Sequence, residues 1–223
     1  MTATPLTPTL ALSLVVLATF AAPSNAASKA KHDQPAAAPV PAGTYTVDKA
    51  HTSLVFRVDH MGFSHYTARF TKLDGQLQFA PAKPEASSVN VTIDPRSLEL
   101  GDPPAGFSDS LLGKQWLDAA AFPQITFRST KVERTGHNAA RITGELALHG
   151  VTQTVTLLAT YNGGYAGQPL DPHARIGFSA HGVLRRSQFA IAYGVPPPGS
   201  KMGVSDEVEV IIESEFNGPP LAK

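Results

Sequence analysis

The sequence predicts an all-β protein whose strands, about eight in number, run antiparallel in a barrel or a sandwich. Segments in which apolar and polar residues alternate recur along the chain and are separated by Gly, Pro, Asn and Asp. Because successive side chains of a strand point to opposite faces, such alternation is typical of strands with one buried face. Only one segment has the spacing of an amphipathic helix. The pattern therefore favours a sheet that closes on its own apolar face.

The first predicted strand lies in residues 48–64. A short polar turn leads into a run where Leu54, Phe56 and Val58 alternate with Val55, Arg57 and Asp59. The run ends at Met61-Gly62, where glycine permits a bend that other residues resist. This segment predicts a strand that begins the barrel.

Seven further segments complete the predicted sheet. Gly75 is expected to form a bulge or bend in the first of them. The segments are residues 67–79, 88–94, 124–132, 141–149, 152–161, 175–184 and 207–216.

Residues 107–121 form the single predicted helix. Phe107, Leu111 and Trp116 recur near the helical period, and Ser108 or Asp109 is available as an N-cap. Pro123 prevents continuation of the helix. One amphipathic helix cannot cover a sheet of this size, so we expect a short helix that caps one end of a barrel.

Composition excludes several functional classes. The chain has 223 residues, a formal net charge of zero and no cysteine. Its length fits one domain. A neutral chain lacks the excess of basic residues that is typical of nucleic-acid-binding proteins. The absence of cysteine removes disulfides, thiolate catalysis and thiolate metal sites.

The N-terminal residues predict export. Residues 10–22 are apolar, of the right length for the core of a signal peptide, and Ser24-Asn25-Ala26 supplies the small residues expected before cleavage. We predict a signal peptide over residues 1–26, a disordered Ala/Pro-rich linker over residues 27–42 and a binding domain over residues 43–218. Residues 1–26 lack Lys and Arg, which leaves open a start codon placed too far downstream.

The sequence predicts neither a catalytic constellation nor a metal site. His51, His60 and His65 are close in sequence, but no His-x-x-x-His on a helix accompanies them. A Gly-x-Ser-x-Gly elbow is missing, and the paired carboxylates Glu207 and Glu209 follow the solvent face of a strand. We therefore expect a protein that is not an enzyme.

Seven short motifs follow one another in order between Tyr45 and Phe216. They include Asp48 with His51-Thr52-Ser53, Phe56-x-Val58-x-His60-Met61-Gly62, Phe122-Pro123-x-Ile125-Thr126-Phe127, Gly144-x-Leu146-x-Leu148-His149-Gly150, Arg185-Arg186-Ser187-x-Phe189 and Val204-x-Asp206-x-Val208. On these motifs the chain resembles the YceI-like family of periplasmic polyisoprenoid-binding proteins.

The resemblance implies an eight-stranded, lipocalin-like antiparallel barrel in the periplasm, with an apolar tunnel that holds an isoprenoid lipid. No further cofactor is implied. Strand alternation then selects the residues expected to line the tunnel, and Trp116 is expected near its mouth. The predicted lipid-binding residues are Leu54, Phe56, Val58, Val91, Ile93, Trp116, Phe127, Leu146, Leu148, Leu157, Phe178 and Val210.

Residues 110–118 depart from the family pattern. Many relatives have a His-Leu-x-Ser-x-Asp-Phe-Phe-Asp segment there, whereas the Trp116 variant resembles members associated with electron-transfer membrane proteins. An isoprenoid quinone is therefore an alternative ligand, delivered through transient contact with a membrane or a membrane cytochrome. A third hypothesis is a stress-protective interaction protein with a packed core. The sequence leaves the oligomeric state open, a homodimer included.

Overall fold

Eleven strands of a computed structural model form one antiparallel sheet that closes on itself. The structure describes residues 39–221. The strands are β1 (Gly43–Val47), β2 (Ser53–His60), β3 (Ser64–Phe70), β4 (Leu73–Phe79), β5 (Ser88–Ile93), β6 (Leu98–Glu99), β7 (Ile125–Arg134), β8 (Ala139–Leu148), β9 (Val151–Tyr165), β10 (His173–Arg185) and β11 (Val204–Pro220). Short 3₁₀ turns occupy Pro84–Ala86, Pro95–Ser97 and Arg186–Phe189.

Closure of the sheet produces an eight-stranded barrel. Strands β1 and β2 lie end to end along β11, which pairs with β1 through Phe216 and with β2 through Val210. In the same way β3 continues into β4, and β5 into β6, so the eleven segments occupy eight positions around the barrel. The predicted eight-stranded antiparallel barrel is confirmed.

The second predicted segment, residues 67–79, is interrupted. The break falls at Thr71-Lys72, between β3 and β4. Gly75 pairs in regular register with Val91, so the bulge expected there is wrong. Glycine instead allows the close approach of the neighbouring strand β5, because a Cβ at this position would lie 2.9 Å from the carbonyl oxygen of Asn90.

The helix α1 is shorter than predicted. It spans Phe107–Leu112, and the residue before it, Gly106, provides no side-chain cap. The chain then folds back, and the Leu117 N–H donates to the Leu111 carbonyl at 3.0 Å. Residues 113–121 are therefore turns, because this return cannot continue an α-helix. Within residues 39–221, no helix has the length and apolar character needed to span a bilayer.

One end of the barrel is filled by side chains. Tyr45, Ile176 and Phe216 are buried together there, and Val40 packs against them from the chain that precedes β1. The Tyr45 hydroxyl donates to the Pro41 carbonyl at 2.7 Å. This packed cluster, called the floor below, closes the barrel. The predicted signal peptide and residues 27–38 of the predicted linker lie outside the described residues.

A charged network lies where β1 breaks into β2. The Arg175 guanidinium donates to the Asp48 carboxylate at 2.5 Å and to the Glu215 carboxylate at 2.8 Å, and His51 lies 2.9 Å from Asp48. Partial burial raises the pKa of Asp48, but hydrogen bonds from His51, Arg175 and the Ala50 N–H outweigh it and hold that pKa well below its usual range. The hydrogen bond to Asp48 in turn raises the pKa of Arg175.

Acid should therefore destabilise the barrel through Asp48. A carboxyl whose folded-state pKa is depressed stabilises the fold above its unfolded pKa, near 3.9, and loses that contribution as pH falls toward the folded value. We expect Asp48→Asn to lower the free energy of unfolding by about 2 kcal/mol at pH 7, with the difference from wild type shrinking below pH 4. Urea unfolding across this pH range measures it.

Asp74→Asn is the matched control for this experiment. Asp74 forms an exposed ion pair with Lys49 at 2.7 Å, and such pairs contribute at most about 1 kcal/mol. A constant difference between Asp48→Asn and wild type at every pH would contradict the role assigned to Asp48.

Candidate functional site

Above the floor the barrel encloses a cavity of about 740 Å³. This volume lies in the upper part of the range of about 300–1,000 Å³ that is usual for ligand pockets. Its lining is almost entirely apolar and comes from every strand position of the barrel as well as from α1. An eight-stranded barrel is just wide enough to hold one ligand when its interior is not filled by side chains.

The structure brings together all the residues that strand alternation selected. Each lies on the wall of this one cavity: Leu54, Phe56, Val58, Val91, Ile93, Trp116, Phe127, Leu146, Leu148, Leu157, Phe178 and Val210. The strand residues among them converge because inward-facing residues recur every second position along each strand, whereas Trp116 reaches the cavity from the turns after α1. Contact of these residues with a lipid stays a prediction.

Sequence reasoning missed other lining residues. Ile142 and Ile212 stand in phase with predicted lining residues on their own strands, so the alternation itself could have identified them. Tyr66, Leu100 and Leu117 also line the cavity. Leu100 and Leu117 lie outside regular strands, where no periodic signal could indicate their direction.

Phe178 lies at the junction of cavity and floor. Its ring packs against Tyr161, Phe216 and Phe79, with centroid distances of 5.4, 6.1 and 6.3 Å. Two hydroxyls of the lining are already engaged, because the Thr52 hydroxyl donates to the Glu215 carbonyl and the Ser214 hydroxyl donates to the Phe178 carbonyl. The floor therefore presents rings and methyl groups to a ligand.

The opposite end of the cavity is its mouth. Here the lining reaches solvent through His60, Asp102, Pro104 and Phe107, all exposed. α1 and the turns that follow it lie across this end, as the sequence predicts for a capping helix. The cavity is thus a tunnel with an apolar closed end and an open end that carries both polar and apolar residues.

Trp116 lies at the mouth on the turns after α1. Its ring contacts the Tyr193 ring edge-on at a centroid distance of 5.6 Å. The Arg186 guanidinium lies 5.0 Å from the centroid of the indole. Trp116 is therefore both a lining residue and part of the contact between two segments that border the opening.

Arg186 is a buried cation beside the mouth, only 4% exposed. Its guanidinium donates to the carbonyls of Ser205, Ile191, Tyr193 and Val204 at 2.7–3.0 Å. Burial lowers the pKa of Arg186, and the charge of nearby Asp206 opposes this. Arg186 therefore ties residues 191–193 to the start of β11 and supports Trp116 from behind.

Among residues 39–221, His51, His60 and His65 do not assemble into one metal site. His51 and His60 lie at opposite ends of β2. Asp48, His51 and Glu215 have ligand atoms within 4.8 Å of one another, but Arg175 bonds both carboxylates and supplies the positive charge there. The prediction that the protein holds no metal stays a prediction.

The comparisons with known proteins agree with this architecture. The model of the YceI-like domain matches residues 45–216. A UPF0312 protein of Enterobacter sp. (strain 638) is 38% identical over 178 residues, which cover 78% of this chain and 86% of the relative. A UPF0312 protein of Pseudomonas syringae pv. tomato is 36% identical over 154 residues, covering 67% of this chain and 77% of the relative.

Solved structures share the barrel. BcnA of Burkholderia cenocepacia has a TM-score of 0.65 and 30% identity, covering 76% of this chain and 98% of BcnA. The YCEI protein of Campylobacter jejuni has a TM-score of 0.62 and 27% identity, covering 71% of this chain and 88% of that protein. A polyisoprenoid binding domain from Saccharophagus degradans shares the fold at 15% identity and a TM-score of 0.58, with 80% of this chain and all of that domain covered. The barrel, its lining and the family match together show that this chain belongs to the YceI-like family.

Proposed function

We propose that this protein is an exported, non-enzymatic binding protein that holds an isoprenoid lipid in its tunnel, for sequestration or transport in the periplasm. The observation that carries the proposal is the apolar cavity of about 740 Å³ above the packed floor. A barrel of the same fold from Saccharophagus degradans is described as a polyisoprenoid binding domain, which supports the ligand class.

Apolar burial supplies enough affinity without a conspicuous polar motif. Each buried methylene contributes roughly 0.8 kcal/mol, so about ten carbons contribute about 8 kcal/mol, equivalent to micromolar binding before ordering costs. A polyprenyl chain is longer than this. An unreactive lining with few free polar groups therefore agrees with a binding role.

The asymmetry of the tunnel favours one orientation of the ligand. The floor offers the rings of Phe178 and Phe216, while His60, Asp102 and Arg186 lie toward the mouth. Burying a polar headgroup at the floor would cost several kcal/mol without a free partner. The hydrocarbon tail therefore enters first, and the headgroup stays beside Trp116.

Titration of the Trp116 emission tests the proposal. Trp116 is the only tryptophan of the chain and lines the mouth. We expect a saturable change in emission on addition of a polyprenol, and quenching on addition of an isoprenoid quinone. Phe56→Lys places a charge inside the tunnel and should weaken binding at least tenfold.

Arg57→Lys is the control, because Arg57 is the neighbouring residue on β2 but is exposed and pairs with Glu209 on the outside. Mass spectrometry of a solvent extract of the purified protein then identifies the class of ligand. An isoprenol supports the proposed function, and a quinone supports the accessory role in electron transfer. The proposal would be refuted if the extract contained no lipid and if no isoprenoid changed the Trp116 emission.

A further inference from the structure

Four large apolar side chains are exposed around the mouth. The exposed fractions are 80% for Phe63, 68% for Met202, 54% for Tyr193 and 38% for Phe107. Phe63 lies on the turn between β2 and β3, Tyr193 and Met202 lie in the segment between β10 and β11, and Phe107 begins α1. We call these four residues the apolar rim.

Backbone hydrogen bonds hold the segments that carry the rim next to one another. The Met61 N–H donates to the Gly203 carbonyl at 2.9 Å, which holds the turn of Phe63 beside Met202. The Val204 N–H donates to the Gly194 carbonyl at 3.0 Å, which brings Met202 and Tyr193 to the same end of the barrel. Tyr193 contacts Trp116, and Phe107 itself lines the cavity. The four residues therefore lie on segments at the mouth end of the barrel.

The shape of the rim favours a fluid partner over a folded one. Its four side chains come from three separate segments of the chain, whereas a stable protein interface needs a packed patch of about 800 Å² on each partner. Lipid headgroups and acyl chains are fluid and can rearrange around separate apolar side chains. Aromatic residues with one polar atom, such as Tyr193, are enriched where membrane meets water.

We propose that the apolar rim inserts into the surface of a lipid bilayer, so that the tunnel opens directly onto the lipid phase. This inference rests on the proposed function and names its partner, since a chain that enters tail first could pass from bilayer to tunnel without crossing water. The flanking charges have mixed sign: Lys114 and Lys201 are offset by Asp102 and Asp109. Apolar insertion therefore dominates, and docking does not require anionic lipid.

The test uses flotation with vesicles of zwitterionic phosphatidylcholine. We expect the full protein to float with the vesicles and the double variant Phe63→Ser/Met202→Ser to bind at least tenfold more weakly. Neither of these two side chains lines the cavity. The same variant should therefore retain wild-type affinity for a water-soluble isoprenoid, farnesol below its solubility limit, in the Trp116 titration.

Leu170→Ser is the matched control. Leu170 is 95% exposed and lies in the turn between β9 and β10. This turn is at the floor end of the barrel, where the Leu221 N–H donates to the Pro172 carbonyl. Loss of its side chain should leave flotation unchanged. Equal loss in Leu170→Ser and in the rim variant would overturn the proposal, as would binding that appears only with anionic phosphatidylglycerol or only with protein-containing membranes. Wild type that binds farnesol but ignores vesicles overturns the docking alone, whereas vesicle binding without farnesol binding overturns the proposed function.

Discussion

Ala180→Trp should abolish binding of long isoprenoid chains while the barrel stays folded. Ala180 lines the cavity two residues after Phe178 on β10, and it pairs with Ala159 and Ile212 on the adjacent strands. An indole at this position would occupy part of the cavity next to the floor and would not displace packed side chains. Excluding only three or four methylenes weakens binding about a hundredfold. We expect that loss or more for a polyprenol.

A short isoprenoid alcohol separates a raised floor from general damage. Geraniol can occupy the tunnel between Ala180 and the mouth, so its affinity should fall by less than about tenfold. His181→Trp introduces the same side chain at the next, outward-facing residue of β10 and should leave both affinities unchanged. Binding is followed by isothermal calorimetry, because the introduced indole would add its own emission to that of Trp116. Full affinity of Ala180→Trp for the polyprenol would show that lipid does not occupy this cavity.

Arg186→Met should destabilise the protein more than any other single change proposed for the mouth. Methionine leaves four carbonyl groups without their donor, and an unsatisfied buried acceptor costs about 1–3 kcal/mol. Water from the mouth can reach some of them, so we expect the free energy of unfolding to fall by about 3–5 kcal/mol. Loss of the cation beside Trp116 adds to this effect. Chemical denaturation followed by circular dichroism measures the change.

The neighbouring arginine provides the control. Arg185 is exposed, and its guanidinium lies 3.5 Å from Glu207, so Arg185→Met should change stability by no more than about 0.5 kcal/mol. Arg186→Lys keeps the charge but offers three donors without the planar fork, so its stability should lie between those of wild type and Arg186→Met. If both methionine variants were equally stable, the carbonyl contacts of Arg186 would contribute nothing.

Period-two alternation was sufficient to identify most of the barrel and its inner face. Leu54, Phe56 and Val58 point inward because a strand has only two faces, and one of them must avoid water. The same reasoning failed in part for residues 107–121, where apolar spacing predicted that the helix continues to residue 121. There the chain turns back after Gly113, and Asp118 adopts a positive φ of 41°. Long-range packing of the turns, which periodicity does not report, decides this conformation.

The strand segments, their inward faces and the family were therefore determined by the sequence itself, because they depend on local alternation and on motifs read in order. How much of the barrel interior is filled by side chains was decided only by the tertiary structure. The floor packs where Tyr45, Phe178 and Phe216 meet from three strands, and the cavity begins where smaller residues such as Ala180 face one another. The role of Arg186 is equally non-local, since its acceptors lie 5 to 19 residues away along the chain. Side-chain volumes and hydrogen-bond partners from separate strands add up only after the barrel has closed.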